Sequence, residues 1–289
     1  MPVPAVTVLM NCHNGAKYLP EAVDSVLSQT ISDWELIFWD NQSTDNSAAI
    51  AQAYRDSRIH YYLAPNHTSL GIARQRAIQK ARGRWIGVLD TDDVWLPNKL
   101  ERQLGCAKEK PEAGLIYGRT ESFAEEGGKA RLGVNPPLHH PMREGHVFKQ
   151  LACNNFMSLV SILYRREFME EIGGFREFQI AADYDLSLRL SLLHPVAAVD
   201  EIICRYRWHS SNTSHKMLEV GIIEVEEILS DLSQEPGAVE GLSFWQANHA
   251  ICHLMAWRLS DAYKALLKAD KVEFSRLVLR GVRRRVGRF

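Results

Sequence analysis

Apolar and polar positions alternate in a repeating rhythm along the first hundred residues. Val6–Met10 is a β-branched apolar run, followed by the polar segment Asn11–Gly15 and then by Leu19, Val23, Val26 and Leu27 at helical spacing. Trp34–Trp39 is a second apolar run that ends on Asp40, and in the "NQSTDNSAAIAQAY" that follows, Ser43 or Thr44 can cap a helix whose first turn carries Asp45. Ile59–Leu63 predicts a third strand, Leu70–Ala81 a third helix and Trp85–Leu89 a fourth strand. Repeated β-then-α units imply a mostly parallel sheet flanked by helices, whose ligands bind beyond the carboxyl ends of the strands. Asp40 and the cluster "DTDD" at 90–93 stand at two such ends.

The rhythm then changes. From about Ala124 to Gly145 the chain is rich in Gly, Pro, Glu and His, which predicts a long loop of the lid or substrate-loop kind. Met157–Tyr164 resumes strand character, "REFMEEIGGF" reads as a short helix stopped by Gly173 and Gly174, and Asp183–Leu193 as another helix. Beyond Ser214 the pattern is helical. These shifts divide the chain into an α/β domain over 1–215 and a helical C-terminal region over 216–289.

Composition narrows the class. With 289 residues, 46% of them hydrophobic, the chain can bury a full α/β core with a helical appendage. A formal net charge of −1 provides no global field for nucleic acid, so none is expected as a partner. The five cysteines are dispersed, with no C-x-x-C pair, as in a reducing compartment. The N-terminus lacks the basic segment of a signal peptide, and its apolar run is too short to span a bilayer. A cytoplasmic protein is expected.

The sharpest chemical signal is "GRWIGVLDTDDVWLP", in which an apolar strand delivers Asp90, Asp92 and Asp93 within four positions. Carboxylates so close are tolerated around a cation, with one of them protonated, or splayed into water. Chance alone places on the order of one D-x-D triplet in a chain of this length, and "DYD" at 183–185 is a second, so position carries the argument. At the end of a buried strand, hard oxygens can hold Mg2+ or Mn2+ against a diphosphate, with Asp92 and Asp93 as ligands and Asp90 orienting or touching a sugar. A helix cap with two solvated neighbours is the bland alternative.

Read in order, "VTVLMNCHNGAKYLPEAVDSVLSQT", "WELIFWDNQSTDNSAAIAQAY", "LGIARQRAIQKARGRWIGVLDTDDVWLPNKLERQL", "EEIGGFREFQIAADYDLSLRL" and "YRWHSSNTS" resemble family 2 glycosyltransferases of the GT-A fold, over about residues 4–215. The resemblance implies a Rossmann-like sheet and a nucleotide-diphosphate sugar donor. Asp40 matches the acid that accepts the N–H of the base, a contact open to uracil, thymine and guanine but not cytosine, with UDP the first guess. Asn11 and His13 fall where the base and ribose are lined, His13 replacing a commoner tyrosine, and Arg74 falls near the diphosphate. Asp183 occupies the position of the base that activates the acceptor hydroxyl in inverting members, while Ala182 stands where the family usually has a glutamate that helps bind acceptor. Arg207 and His209 match a late arginine facing the phosphates and a histidine completing the metal shell with Asp92 and Asp93.

Each position has an ordinary structural alternative: a turn cap for Asp40, a loop residue for His13, an exposed helix face for Arg74, an N-cap for Asp183, and a plain strand edge for Arg207 and His209. Trp95, Asn154, Asn155 and Phe156 are candidates for the acceptor or sugar site, because aromatic faces and amides suit sugars; core and turn roles compete. Arg276, Arg280, Arg284 and Arg288 alternate with Val278, Val282 and Val286, a basic amphipathic spacing that suits either a membrane surface at the inner face or docking through the valines. By resemblance the acceptor is a saccharide or a lipid-linked molecule of cell-surface polysaccharide, lipopolysaccharide or glycolipid synthesis. Two other classes compete: a phosphatase using Asp90 as nucleophile in D-x-D-x-V, and a nonenzymatic nucleotide-sugar binder suggested by Ala182. The P-loop and dinucleotide fingerprints are absent from the sequence.

Overall fold

A computed structural model describes residues 3–124 and 133–255. Elements follow in the order β1 (Val6–Cys12), α1 (Leu19–Leu27), β2 (Trp34–Asp40), α2 (Ser47–Ala53), β3 (Ile59–Leu63), α3 (Leu70–Ile78), β4 (Trp85–Val88), β5 (Val94–Trp95), α4 (Lys99–Glu109), β6 (Leu115–Ala124), β7 (Gly133–Asn135), α5 (Phe148–Cys153), β8 (Leu163–Arg165), α6 (Arg166–Glu171), α7 (Ala182–Leu193), β9 (Val196–Trp208), α8 (Thr213–Lys216), α9 (Leu218–Asp231) and α10 (Ala238–Met255). The described residues form two compact units, one of those up to Val147 with Phe156–Thr213, the other of Phe148–Asn155 with 214–255.

Among the described residues, nine strands of the first unit make one mixed sheet, in the order β3-β2-β1-β4-β8-β6-β9-β5 with β7 beside β6. The half built by the βα rhythm is parallel: β1 pairs with β2 and β4, and β2 with β3. β1 and β2 are buried along their whole length, as strands covered on both faces must be. Two of the buried polar side chains they carry satisfy each other, since Thr7 Oγ1 donates to Glu35 Oε1 at 2.7 Å. Glu35 also takes the main-chain N–H of Arg82 at 2.7 Å, and these hydrogen bonds outweigh burial and hold its pKa down.

The other half of the sheet follows no local rhythm. β8 is antiparallel to β4 and β6, β6 is parallel to β9 over ten residue pairs, and β5 closes antiparallel on the end of β9. The strand expected over Met157–Tyr164 is shorter than its pattern, because a 3-10 turn occupies Leu159–Ser161 before β8 begins. Helix α2 starts later than its capping pattern predicts, at Ser47, since Ser43, Thr44 and Asp45 are engaged with the β1 loop. Part of the expected loop at 124–145 is strand β7. Its continuation is fixed by the buried Arg119, which donates to the carbonyls of Pro136, Pro137 and His140 at 2.7, 2.8 and 2.9 Å. Residues 125–132 of that loop lie outside the described residues.

The core beneath the acidic turn holds a lysine. Lys99 is fully buried, with Nζ 4.3 Å from the Trp95 ring centroid and donating to Gln103 Oε1, and burial pushes its pKa down to about 7. A lysine whose folded pKa lies below its unfolded value favours the folded state progressively as pH rises between the two. From this group, stability therefore climbs between about pH 7 and 10.5, by up to about 1.4 kcal/mol per pH unit. Lys99→Met is expected to abolish that slope and to raise stability at neutral pH, as read from urea midpoints measured at pH 7 and pH 9.

In the second unit, α9 buries Ile222, Val225, Ile228 and Leu229, and α10 reaches α5 through Trp245 Nε1, which donates to the Ala152 carbonyl at 3.0 Å. Phe148–Asn155 joins this unit although it lies far upstream of the boundary expected near 215. Close approach explains it, since a Cβ on Gly241 would stand 2.7 Å from the Ala152 carbonyl oxygen. No helix among the described residues is long and apolar enough to cross a membrane. The basic spacing at 276–289 lies outside the described residues.

Candidate active site

Strand order reverses at β1: the chain goes first to β2 and β3 on one side, then returns to β4 on the other. A crevice opens beyond the carboxyl ends of strands that diverge in this way. Asn11 and Asp90 each lie two residues past Leu9 and Val88, the last pair between β1 and β4. Asn11 is buried, yet neither its Oδ1 nor its Nδ2 has a partner among the described residues. Such orphaned groups cost stability unless something else fills their bonding capacity.

Arg74 enters from α3. It is 1% exposed, so the exposed-helix explanation fails. Its Nη2 donates to Asp90 Oδ1 at 3.0 Å and its Nη1 stands 3.7 Å from Asp183 Oδ1, while Nε has no partner among the described residues. One guanidinium thus joins the end of β4 to the start of α7. Gly71 makes this approach feasible: its N–H donates to the Phe178 carbonyl at 3.0 Å, and a Cβ there would fall 2.2 Å from the Arg176 carbonyl oxygen. Gly71→Ala is expected to force α3 off the 176–178 segment, costing about 1–3 kcal/mol of stability. Because Arg74 lies one turn further along α3, transfer should fall about tenfold or more, as measured by kcat on protein with an unchanged circular dichroism spectrum.

Asp183 sits within the first turn of α7, but the N-cap position belongs to Ala181. Burial raises the Asp183 pKa and the Arg74 guanidinium opposes that shift, so the carboxyl binds a proton more readily than an exposed aspartate does. Ala182, beside it, is fully buried. The other acid of the "DYD" triplet has a different task. Asp185 is wholly buried between two arginines, accepting from Arg176 Nε at 2.8 Å and from Arg189 Nε and Nη2 at 2.9 and 2.6 Å. Arg189 also donates to the carbonyls of Ile172 and Gly174. The clamp fixes the turn at Gly173 and Gly174, both with positive φ, where glycine carries little strain.

The acidic turn meets the end of β9 because β5 registers Val94 on Arg205 and Trp95 on Cys204. His209 Nε2 lies 2.9 Å from Asp92 Oδ2, and its Nδ1 lies 2.8 Å from Ser211 Oγ. Asn212 steadies the corner by accepting the His209 N–H at 2.7 Å and donating to the Arg207 carbonyl at 3.1 Å. Asp93, the other expected ligand, faces inward. It is 2% exposed, and its Oδ1 accepts the main-chain N–H of Arg207 at 2.9 Å, latching the turn to β9. Burial, with the charges of Asp92 and Asp90 alongside, pushes its pKa well above the usual range; burial and Asp90 also raise Asp92.

Arg207 also differs from its expected role of facing phosphates. Its Nε donates to the Asp92 carbonyl at 2.9 Å, its Nη2 donates to Glu21, and its guanidinium lies 4.6 and 4.4 Å from the ring centroids of Tyr18 and Phe123. It braces the acidic turn. Tyr18, Glu21 and Asn212 escape a sequence reading; the first two merely begin a helix beside Pro20, and Asn212 lies in a polar stretch.

At the β2 end, Asp40 is 1% exposed and has both oxygens engaged, Oδ1 by the Ser43 N–H and Oδ2 by the Tyr61 hydroxyl, each at 2.7 Å. Its turn-capping role is therefore real. The neighbouring Asn41 carbonyl faces two imidazoles, His13 Nδ1 at 3.1 Å and His67 Nδ1 at 2.9 Å, with ring centroids 4.3 Å apart. A carbonyl only accepts, so a hydrogen bond from either ring places its proton on Nδ1.

The aromatic sugar-site candidates are spent elsewhere. Trp95 is 1% exposed and donates its indole N–H to the Val160 carbonyl at 2.9 Å, in space left by Gly87. Phe156 is buried against Tyr117 and Arg143. Asn154 and Asn155 belong to the second unit.

Among the described residues no group of three or more His, Cys, Asp or Glu side chains is arranged to hold a metal. Asp92 and His209, hydrogen-bonded to each other at 2.9 Å, are a hard oxygen and an imidazole nitrogen, side-chain types that suit a cation drawing its other ligands from phosphate and water.

An open α/β sheet whose switch point gathers Asn11, Arg74, Asp90 and the half-buried Asp183 suits a phosphate-bearing ligand. The profile of glycosyl transferase family 2 matches residues 7–173, and the chain belongs to that family. The phosphatase reading of Asp90 thereby loses its support. A putative teichuronic acid biosynthesis glycosyltransferase, TuaG of Bacillus subtilis, is 29% identical over 73% of this chain and 82% of its own. Other curated relatives are much longer: the chain spans 36% of an uncharacterized Rickettsia felis glycosyltransferase and 31% of Escherichia coli chondroitin synthase, each 28% identical. The fold is GT-A. S. aureus TarS with UDP-GlcNAc superposes at a TM-score of 0.65 and 16% identity, covering 84% of this chain and 72% of that one. A Pyrobaculum calidifontis mannosyltransferase with GDP-Man and Mn2+ also gives 0.65 at 16% identity, over 96% and 79%.

Proposed function

We propose that the α/β unit, taken as a catalytic domain over about 1–215 with a helical appendage, is an inverting glycosyltransferase that moves a sugar from a nucleotide-diphosphate donor to an acceptor hydroxyl. The observation that carries this reading is the switch-point crevice, where Asn11 and the Arg74 Nε are buried without partners beside Asp90. A donor would supply the missing bonds. Asn11, His13 and the Asp40 turn line its nucleoside side, while Arg74 and Asp90 meet its sugar-diphosphate side.

Asp183 is the general base. It takes the acceptor proton as the hydroxyl attacks in line from the side opposite the nucleotide, which inverts the anomeric centre. Arg74 keeps this carboxyl ionised enough to act and aligns it with Asp90. Mg2+ or Mn2+ held by Asp92 and His209 would neutralise the departing diphosphate. Arg207, through the Asp92 carbonyl and Glu21, fixes the turn that presents Asp92. Since the family glutamate is replaced by the buried Ala182, acceptor contacts come from other residues.

A UDP-sugar is the first choice of donor, with dTDP- and GDP-sugars next, and the acceptor is a saccharide or lipid-linked molecule of cell-surface polysaccharide synthesis, in keeping with the TuaG relative. The reaction belongs on the cytoplasmic side, peripherally at the membrane where the acceptor is lipid-linked. The test is release of nucleoside diphosphate from a panel of nucleotide sugars, with acceptor extracts, in Mn2+ and in EDTA. Metal-dependent release from one nucleotide class supports the proposal. Donor binding without release under any condition would favour a nonenzymatic binder.

A further inference from the structure

The second feature of the α/β unit that calls for a ligand lies at the opposite end of the sheet. Ala5 just before β1, Arg84 and Trp85 at the start of β4, the end of α4 and the β8–α6 junction enclose a pocket of about 360 Å3, within the size range of small-molecule sites. β4 runs from this pocket toward Asp90, about 15 Å away at the rise of a strand, so it is distinct from the donor crevice.

Its lining is one-sided in charge. Arg84, Lys108, Arg165 and Arg166 face a single carboxylate, Glu167, over an apolar floor that includes Trp85 and Leu104. Two of these cations are already held in place. Arg165 spans to the Ala113 carbonyl at 3.1 Å and Glu167 at 3.2 Å with its guanidinium 5.0 Å from the Trp85 ring centroid, and Arg166 spans to the Gly83 carbonyl at 2.8 Å and Glu170 at 2.7 Å. Arg84 and Lys108 are exposed, and neither side chain has a partner among the described residues. Two held guanidiniums, two exposed cations without partners and the apolar side chains of Trp85, Leu104 and Ala107 line one pocket, a combination that complements an anion carrying an apolar group.

We propose that this pocket binds a phosphate ester, its phosphate between Arg84, Lys108 and Arg166 and its apolar part over Trp85 and Leu104. The same chemistry is offered by a soluble phosphorylated metabolite and by the headgroup of an anionic phospholipid, and the test separates them.

The experiment uses the full chain in EDTA, which keeps the donor crevice from contributing metal-dependent binding. Phenyl phosphate is titrated calorimetrically, and flotation is measured with phosphatidylcholine vesicles with and without phosphatidylglycerol. Both are repeated with the surface variant Arg84→Glu/Lys108→Glu. Binding that weakens about tenfold or more in the variant supports the site. If phenyl phosphate carries the effect, the ligand is a soluble ester; if only phosphatidylglycerol vesicles do, it is a lipid. Absence of binding in both arms, or equal binding by wild type and variant, would overturn the proposal. Nucleotide binding in Mn2+ should be the same in both proteins, which keeps this test independent of the donor site.

Discussion

Asp183→Asn is expected to lower kcat by about 10²- to 10⁴-fold while donor binding stays within twofold or so of wild type, the range by which a positioned general base contributes. Asparagine keeps the shape and the main-chain contacts of the first turn of α7 but cannot accept the acceptor proton. Its neighbourhood argues the same way: burial raises the Asp183 pKa and Arg74 restrains the rise. Because protonation disables the base, the wild-type rate should fall as pH drops through a value above the usual aspartate range, and the residual rate of the variant should lack that limb. A merely structural Asp183 predicts the reverse pattern, a lower melting temperature with kcat unchanged. Single-turnover kinetics across pH, with calorimetric donor binding on the same protein, separates the two.

Asp92→Asn should produce the second large loss. It replaces the half-buried carboxylate of the pair with His209, 2.9 Å from the imidazole, by an amide that binds a divalent cation poorly. Transfer is expected to fall about 10²-fold or more, and metal-dependent nucleotide affinity about tenfold or more. Stability should move in the opposite direction. Burial and the charge of Asp90 raise the Asp92 pKa, so in the absence of a cation its ionised form is strained, and the neutral amide relieves that strain. A higher melting temperature with lost activity is the signature of a residue kept for function. Asp93→Ala should instead destabilise, because it removes the oxygen that accepts the Arg207 N–H and latches the turn to β9.

The sequence made the first half of the sheet legible because its signals are local. Apolar runs of strand length and helical spacing from Leu19 to Leu27 each act within a dozen residues. The pairing of β6 with β9 has no such signature, since its partners lie about eighty residues apart and are selected by tertiary packing. The site divides in the same way. Asp90, Asp92, Asp183 and His209 stand out as chemically costly residues at strand ends or helix starts. Arg74 resembles any exposed helical arginine until the close approach at Gly71 buries it, and Asp93 resembles Asp92 until the register of β5 turns it inward. Trp95 and Phe156 mislead for the converse reason: an aromatic ring that could stack on a sugar is equally suited to fill a core.

The most direct test of the donor site is a thermal-shift panel of UDP, dTDP, GDP and CDP and their sugar conjugates, each with Mn2+, with Mg2+ and with EDTA. A ligand that binds only the folded protein must stabilise it. A metal-dependent rise with one nucleotide class, absent with CDP and lost in Asp92→Asn, is the result expected here. A rise of equal size in EDTA, or none with any nucleotide, would contradict the assignment of Asp92 and His209 to a cation and of the switch-point crevice to the donor.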